Sequence, residues 1–334
     1  MSAVPDISVV IPIRNEAPAL KDLHREVTQT LAGWGRSYEL IIVDDGSTDD
    51  GFEILARLAA VDPRLRVIRF RRNFGQTAAF AAGFDHARGR VIVTSDGDLQ
   101  NDPRDIPSMV AALERGFDIV CGWRKDRRDA FVSRRLPSMI ANRLISTATG
   151  VRLHDYGCSL KAFRAEVVKP LKLYGEMHRF LPAIASEQGV AIAEVVVNHR
   201  ARPHGRSKYG IGRTIRVILD LLTVKFLLSY STRPVQIFGL IGLAMLLPGL
   251  AITGWLALVR LMGIAGLLPA QSIGNRPLLL FGILLVFTGV QLVTLGLLAE
   301  LQSRTYHESQ RKPTYAIREI LQTSPGERPV GRGV

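Results

Sequence analysis

Val91-Ile92-Val93 runs into Thr94-Ser95-Asp96-Gly97-Asp98-Leu99-Gln100-Asn101-Asp102-Pro103, and this passage from apolar to acidic decides how the chain folds. The β-branched run reads as a strand, so Asp96-Gly97-Asp98 sets two carboxylates at its C-terminal edge. In an open parallel sheet that edge is where ligands bind. Two carboxylates one residue apart repel unless a cation sits between or beside them. A hard divalent ion, Mg²⁺ or Mn²⁺, takes such oxygens and shares itself with substrate phosphates. Gly97 leaves room for a ligand near the backbone. An ordinary acidic turn is the plainer reading, since Asp and Gly both favour turns. The surrounding pattern has to choose.

Outward from this stretch, strand and helix patterns alternate over residues 7–125. Ile7–Ile13 is a continuous apolar run, as in a strand buried on both faces. Leu20, Leu23, Val27 and Leu31 recur at helical spacing. Strands are predicted at Glu39–Val43, Arg66–Phe70, Val91–Ser95 and Asp118–Gly122. The small residues of Thr77–Gly83 predict a helix lying close on the sheet. This alternation means a doubly wound, mostly parallel α/β sheet. Beyond it, Ser133–Thr149 reads as a helix and Ile192–Val197 as a strand. Asn198–Tyr209, with Pro203 and Gly205, reads as a basic loop.

The chain has 334 residues and a formal net charge of +13, which points to an anionic partner. Two cysteines, Cys121 and Cys158, imply no disulfide framework. No signal peptide is expected, because the apolar run at 7–13 is too short and lacks a basic leader.

Val235–Val259 and Pro277–Ala299 contain no charged residue, and each exceeds the ~20 residues that cross a hydrocarbon core. Two transmembrane helices are predicted, with Pro248 a tolerated kink in the first. Arg213, Arg216, Lys225 and Arg233 precede the spans, and Arg304, Arg311, Lys312 and Arg318 follow them. Only Arg260 and Arg276 lie between. The positive-inside rule therefore puts both termini, and with them the α/β domain, in the cytoplasm. The segment 211–232 reads as an interfacial amphipathic helix. The division is 1–210 an α/β domain, 211–232 juxtamembrane, 233–300 transmembrane and 301–334 a cytoplasmic tail, disordered after Ser324.

Four loops gather at the carboxyl ends of the predicted strands. They carry Pro12, Arg14, Asn15 and Glu16; Asp44 and Asp45; Asp96, Asp98 and Gln100; and Arg124. Hydrogen-bonding groups, hard oxygens and a cation together suit a nucleotide. Neither Gly-x-Gly-x-x-Gly nor a Walker-type loop follows the first strand. A metal on Asp98, with basic side chains, must then hold the phosphates.

In order along the chain stand Val9-Val10-Ile11-Pro12 with Asn15-Glu16, Val43-Asp44-Asp45-Gly46-Ser47, Arg72-Asn73-Phe74-Gly75-Gln76, Asp96–Asn101, Asp155-Tyr156-Gly157-Cys158 and Gly205–Tyr209. Leu297–Glu300, Arg304, Tyr306, Pro313 and Tyr315 follow the second span. In this order the chain resembles inverting GT-A glycosyltransferases of family 2, up to about Leu321. It resembles most the polyprenyl-phosphate branch, including dolichyl-phosphate mannose synthases and, more closely, undecaprenyl-phosphate 4-deoxy-4-formamido-L-arabinose transferases. The resemblance implies that Pro12, Arg14, Glu16, Val43 and Asp45 line the nucleoside pocket and that Asp96 and Gly97 contact the nucleotide. It implies that Asp98 with Gln100 holds Mg²⁺ or Mn²⁺, and that Arg124, Arg202 and Lys208 bind phosphates. Asp155 is implied near the sugar, as orienter or auxiliary base. Arg14 stands where the family commonly has Tyr, and Gly97 where Ala is more usual, a difference read as small.

What the resemblance implies is transfer from a nucleotide-sugar, UDP-linked in the first reading, to undecaprenyl phosphate at the inner membrane. The product would serve cell-envelope glycan or lipid A modification, and the enzyme would be a homo-oligomer, with a tetramer as one form. Asp155–Cys158 and Asn73–Gln76 lean to the aminoarabinose-type branch. Alternatives are GDP-mannose transfer, a processive polysaccharide synthase and a non-catalytic flippase accessory. The second lacks its Gln-x-x-Arg-Trp context at Trp34, Trp123 and Trp255. Nucleic acid is not an expected partner, because no recognised module appears and much of the basicity borders the spans.

Overall fold

A computed structural model describes residues 4–125, 142, 145–147, 149–173, 175, 177–201, 234–267, 269, 277–309 and 314–322. Most of the helix expected over Ser133–Thr149 lies outside the described residues. So do Arg202, Lys208, the segment 211–232 and the tail after Ser324. The chain forms two compact units, Met1–Val224 with Pro313–Val334, and Lys225–Lys312.

The elements of the first unit begin β1 (Ile7–Ile13), α1 (Leu20–Trp34), β2 (Tyr38–Asp44), α2 (Gly51–Val61), β3 (Leu65–Phe70), α3 (Gln76–His86), β4 (Val91–Thr94) and α4 (Ile106–Glu114). They continue with β5 (Ile119–Trp123), β6 (Lys161–Arg164), α5 (Ala165–Val168), α6 (Leu181–Ser186) and β7 (Ile192–Val196). The second unit supplies α7 (Pro234–Ile264) and α8 (Pro277–Ser309), after which β8 (Ile317–Leu321) rejoins the first. The sheet order is β7-β5-β6-β4-β1-β2-β3-β8. β1 pairs in parallel with β2 and β4, β2 with β3, and β5 with β7, while β6 and β8 run antiparallel to their neighbours. The sheet is thus mixed, with a parallel centre as expected.

β1 is buried at all seven positions, because paired strands flank it and helices cover both faces. Ile7, Val9, Ile11 and Ile13 share one core with Leu20, Leu23, Val27 and Leu31 of α1. Each such side chain contributes about 1.5–3 kcal/mol on burial, an upper figure for a real unfolded chain. On the other face α3 lies so close that a Cβ on Gly83 would strike the Val10 side chain. This accounts for the small residues of α3.

The connections from β1 run outward to β2 and β3, then cross back to β4. The order therefore reverses between β1 and β4, and a ligand crevice is expected outside their carboxyl ends. Gly97 closes that junction: a Cβ there would lie 2.6 Å from Ile13 Cγ2 and 3.4 Å from the Pro12 carbonyl. The Gly-for-Ala difference is therefore not small here, because the stiff Ile13 side chain would have to move.

β8 departs from the reading of 301–334 as a separate tail. It pairs with β3 from Val67↔Leu321 to Phe70↔Ile317. The apolar Ile317, Ile320 and Leu321 do not alternate by two, which hid the strand. Lys161 and Arg164 at the ends of the four-residue β6 masked that strand in the same way.

In the second unit α7 and α8 are long and apolar enough to cross a membrane, and Leu240, Leu247, Leu284 and Phe287 are exposed on them. The two helices meet along glycines seven residues apart on each. A Cβ on Gly242 would lie 2.7 Å from the Gly289 carbonyl oxygen, and one on Gly249 2.8 Å from the Val286 nitrogen. Such small residues let the two helix backbones approach closely. Gly242→Leu is expected to cost about 1–3 kcal/mol by overpacking. Gly254→Leu, at a position with open space around it, is expected to cost little. Thermal unfolding of the two variants in detergent checks the difference.

Candidate active site

The loop after β1 is tied to the loop after β2. Asn15, at φ 54°, receives the Thr48 amide on its side-chain oxygen at 2.8 Å, and its own amide donates to Ser47 Oγ at 3.0 Å. Asn tolerates this left-handed conformation better than most residues. Gly46, at φ 67°, passes so near the next loop that a Cβ would lie 2.5 Å from the Arg72 carbonyl carbon. Asp45 is 4% exposed, and its carboxylate accepts from Asn73 Nδ2 at 2.5 Å, the Phe74 amide at 2.7 Å and the Gly75 amide at 3.0 Å. Burial raises its pKa, while the Phe74 and Gly75 amides and the nearby Arg14 charge pull the other way. Asp45 thus braces the Asn73–Gly75 loop. Pro12 and Val43 are register partners buried inside the sheet, Arg14 is exposed and Glu16 half-buried, so the first pair can offer backbone groups only at the strand ends.

The loop after β4 crosses the reversal point. Asp96 Oδ1 accepts from Gln76 Nε2 at 2.7 Å, which joins it to the start of α3. Asp98 Oδ1 accepts the Gln100 amide at 3.2 Å, and Leu99 between them is held at φ 61° with its side chain buried. A non-glycine residue in that region costs roughly 1–3 kcal/mol and persists only where surroundings impose it. Here they do. Asn101 Nδ2 donates to Ser95 and Ser159 hydroxyls at 3.3 and 2.8 Å. Arg200 donates its amide to the Gln100 carbonyl at 2.9 Å and pairs through its guanidinium with Asp102 at 2.7 Å and Glu26 at 2.6 Å.

Arg124 follows β5 and is locked. Its Nε and Nη2 donate to Asp155 Oδ2 and Oδ1 at 2.7 and 2.9 Å. Burial would lower the guanidinium pKa, but these hydrogen bonds and the Asp155 charge raise it, with Asp96 adding to the effect. Asp155 is 2% exposed and spends both oxygens on Arg124, so it orients a cation and is poorly placed as a base. Gly157 leaves space for that arrangement, since a Cβ there would lie 3.3 Å from Arg124 Nη2. The buried Lys161 ammonium donates to the Tyr156 and Cys158 carbonyls and fixes the turn behind Asp155. Glu194 accepts the His154 and Asp155 amides at 2.8 and 3.3 Å. Burial pushes the Cys121 thiol up to about 12 and raises that of Cys158, so neither is a ready nucleophile.

Asp96, Asp98, Gln100, Arg124 and Asp155 therefore gather at one sheet edge, beside Arg14 and Asp45. Gln76, Arg200 and Glu194 were missed as supports because their partners lie far away in sequence, and Lys161 because its partners, though three and five residues away, are backbone carbonyls. For Glu194 and Lys161 a charged residue inside an otherwise apolar stretch was the available signal.

Asp155→Asn leaves Arg124 buried without its countercharge, an expected loss of about 3–5 kcal/mol. The double variant R124Q/D155N is expected to recover part of that stability in thermal unfolding while remaining inactive. Burial would raise the Asp102 pKa, but hydrogen bonds from Arg104 and Arg200 hold it down to about 2, against an ordinary 3.8. Its stabilisation is therefore complete above that ordinary value and is lost as pH falls toward about 2. Asp102→Asn should flatten the pH dependence of stability in that window, read from acid denaturation.

Residues 8–171 match the family described as glycosyl transferase family 2. Dodecaprenyl-phosphate galacturonate synthase of Rhizobium johnstonii is 48% identical over 322 residues, covering 95% of this chain and 93% of that protein. Undecaprenyl-phosphate 4-deoxy-4-formamido-L-arabinose transferase of Shewanella sediminis is 38% identical, covering 94% and 92%. Among solved structures, glucosyl-3-phosphoglycerate synthase of Mycobacterium tuberculosis, in complex with Mn²⁺, UDP and phosphoglyceric acid, superposes with a TM-score of 0.54 at 22% identity, covering 66% of this chain and 78% of that one. That likeness extends the GT-A fold to this sheet. With its strand-order reversal, its loops and these relatives matched over nearly all of its length, the chain belongs to glycosyl transferase family 2, in the polyprenyl-phosphate branch of GT-A enzymes.

Proposed function

We propose that the chain transfers a sugar, first of all galacturonate, from a UDP-linked donor to a polyprenyl phosphate. The observation that carries this is the near-complete alignment, through both apolar helices, with a dodecaprenyl-phosphate galacturonate synthase at 48% identity. The formamido-arabinose transferases support a second reading, an aminopentose donor, at 36–38% identity. α7 and α8 then cross the inner membrane, with both termini and the catalytic unit in the cytoplasm. Segment 211–232 lies in the interface, and the enzyme works as a homo-oligomer. The product feeds envelope glycan or lipid A modification.

The donor nucleoside takes the crevice bordered by Pro12, Arg14, Glu16 and the end of β2 with Val43 and Asp45. Asp96 and Gly97 meet the nucleotide. Asp98 and Gln100 offer hard oxygens. That sparse oxygen set fits Mg²⁺ or Mn²⁺, ions that keep positions for phosphate and water. When bound, the ion supplies countercharge to the diphosphate.

The acceptor phosphate monoester has a second pKa of about 6, so near neutral pH it is mostly a dianion. It needs no strong general base, unlike a sugar hydroxyl. Its oxygen forms the new bond to the anomeric carbon, the bond to the nucleoside diphosphate breaks in line, and configuration inverts. Arg124, held by Asp155, meets the developing charge without reorganising, and Arg202 and Lys208 offset repulsion between the two phosphate groups.

A screen of UDP- and GDP-sugars with undecaprenyl phosphate and the purified full-length chain tests the reading. Mass detection is expected to show a polyprenyl-phosphate hexuronate formed from UDP-galacturonate. Transfer from no donor overturns it. Asp98→Asn should lower kcat by at least about 100-fold with the thermal transition unchanged. Full activity in that variant would remove Asp98 from the metal.

A further inference from the structure

The motif residue Tyr315 has no part in the chemistry above, yet it holds both elements that frame the Asp45-braced loop. Its ring stacks on Phe70, the last residue of β3, at 5.3 Å between centroids and 12° between planes. Its hydroxyl donates to Asp85 Oδ2 on α3 at 2.8 Å. Between Phe70 and α3 runs the loop Arg71–Gly75. Phe70 meets Phe74 edge-on at 5.7 Å and 88°, and the Phe74 amide is the one that donates to Asp45 at 2.7 Å. Arg72 lies over the Phe74 ring at 4.3 Å. The Arg71 amide donates to the Ala316 carbonyl at 3.1 Å, which pins the start of the loop to the same segment. α3 then opens with Gln76, the donor to Asp96.

One tyrosine therefore fixes β3 against α3, and the loop between them joins the Asp45 side of the crevice to the Asp96 side. We propose that Tyr315 is a positioning residue for the donor nucleotide, acting through the ring column Tyr315–Phe70–Phe74 and the loop Asn73–Gln76. This rests on the reading of that crevice as the donor site. A ring that only completed the core would change stability on removal and leave nucleotide affinity alone. A positioning ring changes the affinity of the folded protein for the donor and leaves the lipid acceptor untouched.

The test uses the full-length protein in detergent, with UDP and Mn²⁺ as the probe. Y315A is expected to weaken UDP binding by calorimetry about tenfold, with the acceptor KM unchanged. Y315F keeps the ring and loses the Asp85 bond, and is expected to fall between Y315A and wild type. Q322A cuts only the bond from Arg66 Nε at the far end of β8 (2.9 Å) and is expected to bind UDP as wild type does. Hydrogen exchange at residues 71–76 is expected to rise in Y315A and not in Q322A. Unchanged exchange there, or a folded Y315A that binds UDP as tightly as wild type, overturns the assignment of Tyr315 while leaving the donor site standing. A wild-type chain that binds neither UDP nor GDP overturns the donor site and this assignment with it.

Discussion

Burial of the central strands on both faces is the constraint from which the rest follows. β1 and β2 have no exposed position along their length, so their sides offer no place for solvated chemistry. Polar groups can gather only where strands end, and reversal of strand order between β1 and β4 opens the gap there. Gly97 at the mouth of that gap is thus as much a packing residue as a site residue.

The acidic residues of this edge divide into two kinds. Asp45, Asp102 and Asp155 are buried and committed: the first to backbone amides, the others to arginines. They set the shape of loops and the direction of Arg124 and Arg200. Asp98, which accepts the Gln100 amide, forms with Gln100 the pair proposed to hold the ion. Under the proposed function, a site that takes phosphate charges gains from this division through Arg124. Its cations are aimed beforehand, so little rearrangement accompanies the chemistry.

Strands β1, β2 and β4 were legible because apolar runs end close to Asn15, Asp44 and Asp96, and β3 and β5 because short β-branched runs recur at the same α/β spacing. The gathering of the four loops followed from their place after those strands. β6 and β8 were not legible, since polar ends or broken alternation conceal them. Nor were the braces: nothing local to Asp155 shows that Arg124, 31 residues away, takes both its oxygens. The meaning of Gly97 likewise depends on Ile13, which only folding brings to it.

β8 also fixes an order of events in biosynthesis. Arg66 and Gln322 are 256 residues apart yet share a hydrogen bond, because β8, made after both apolar helices, pairs with β3. Until both apolar helices have been made, β3 presents an unpaired edge, the kind of surface on which chains misassociate. Synthesis runs through the helices before that edge is covered. The sheet is therefore completed only after both apolar helices exist. A chain cut short within them lacks the strand that closes its own catalytic unit.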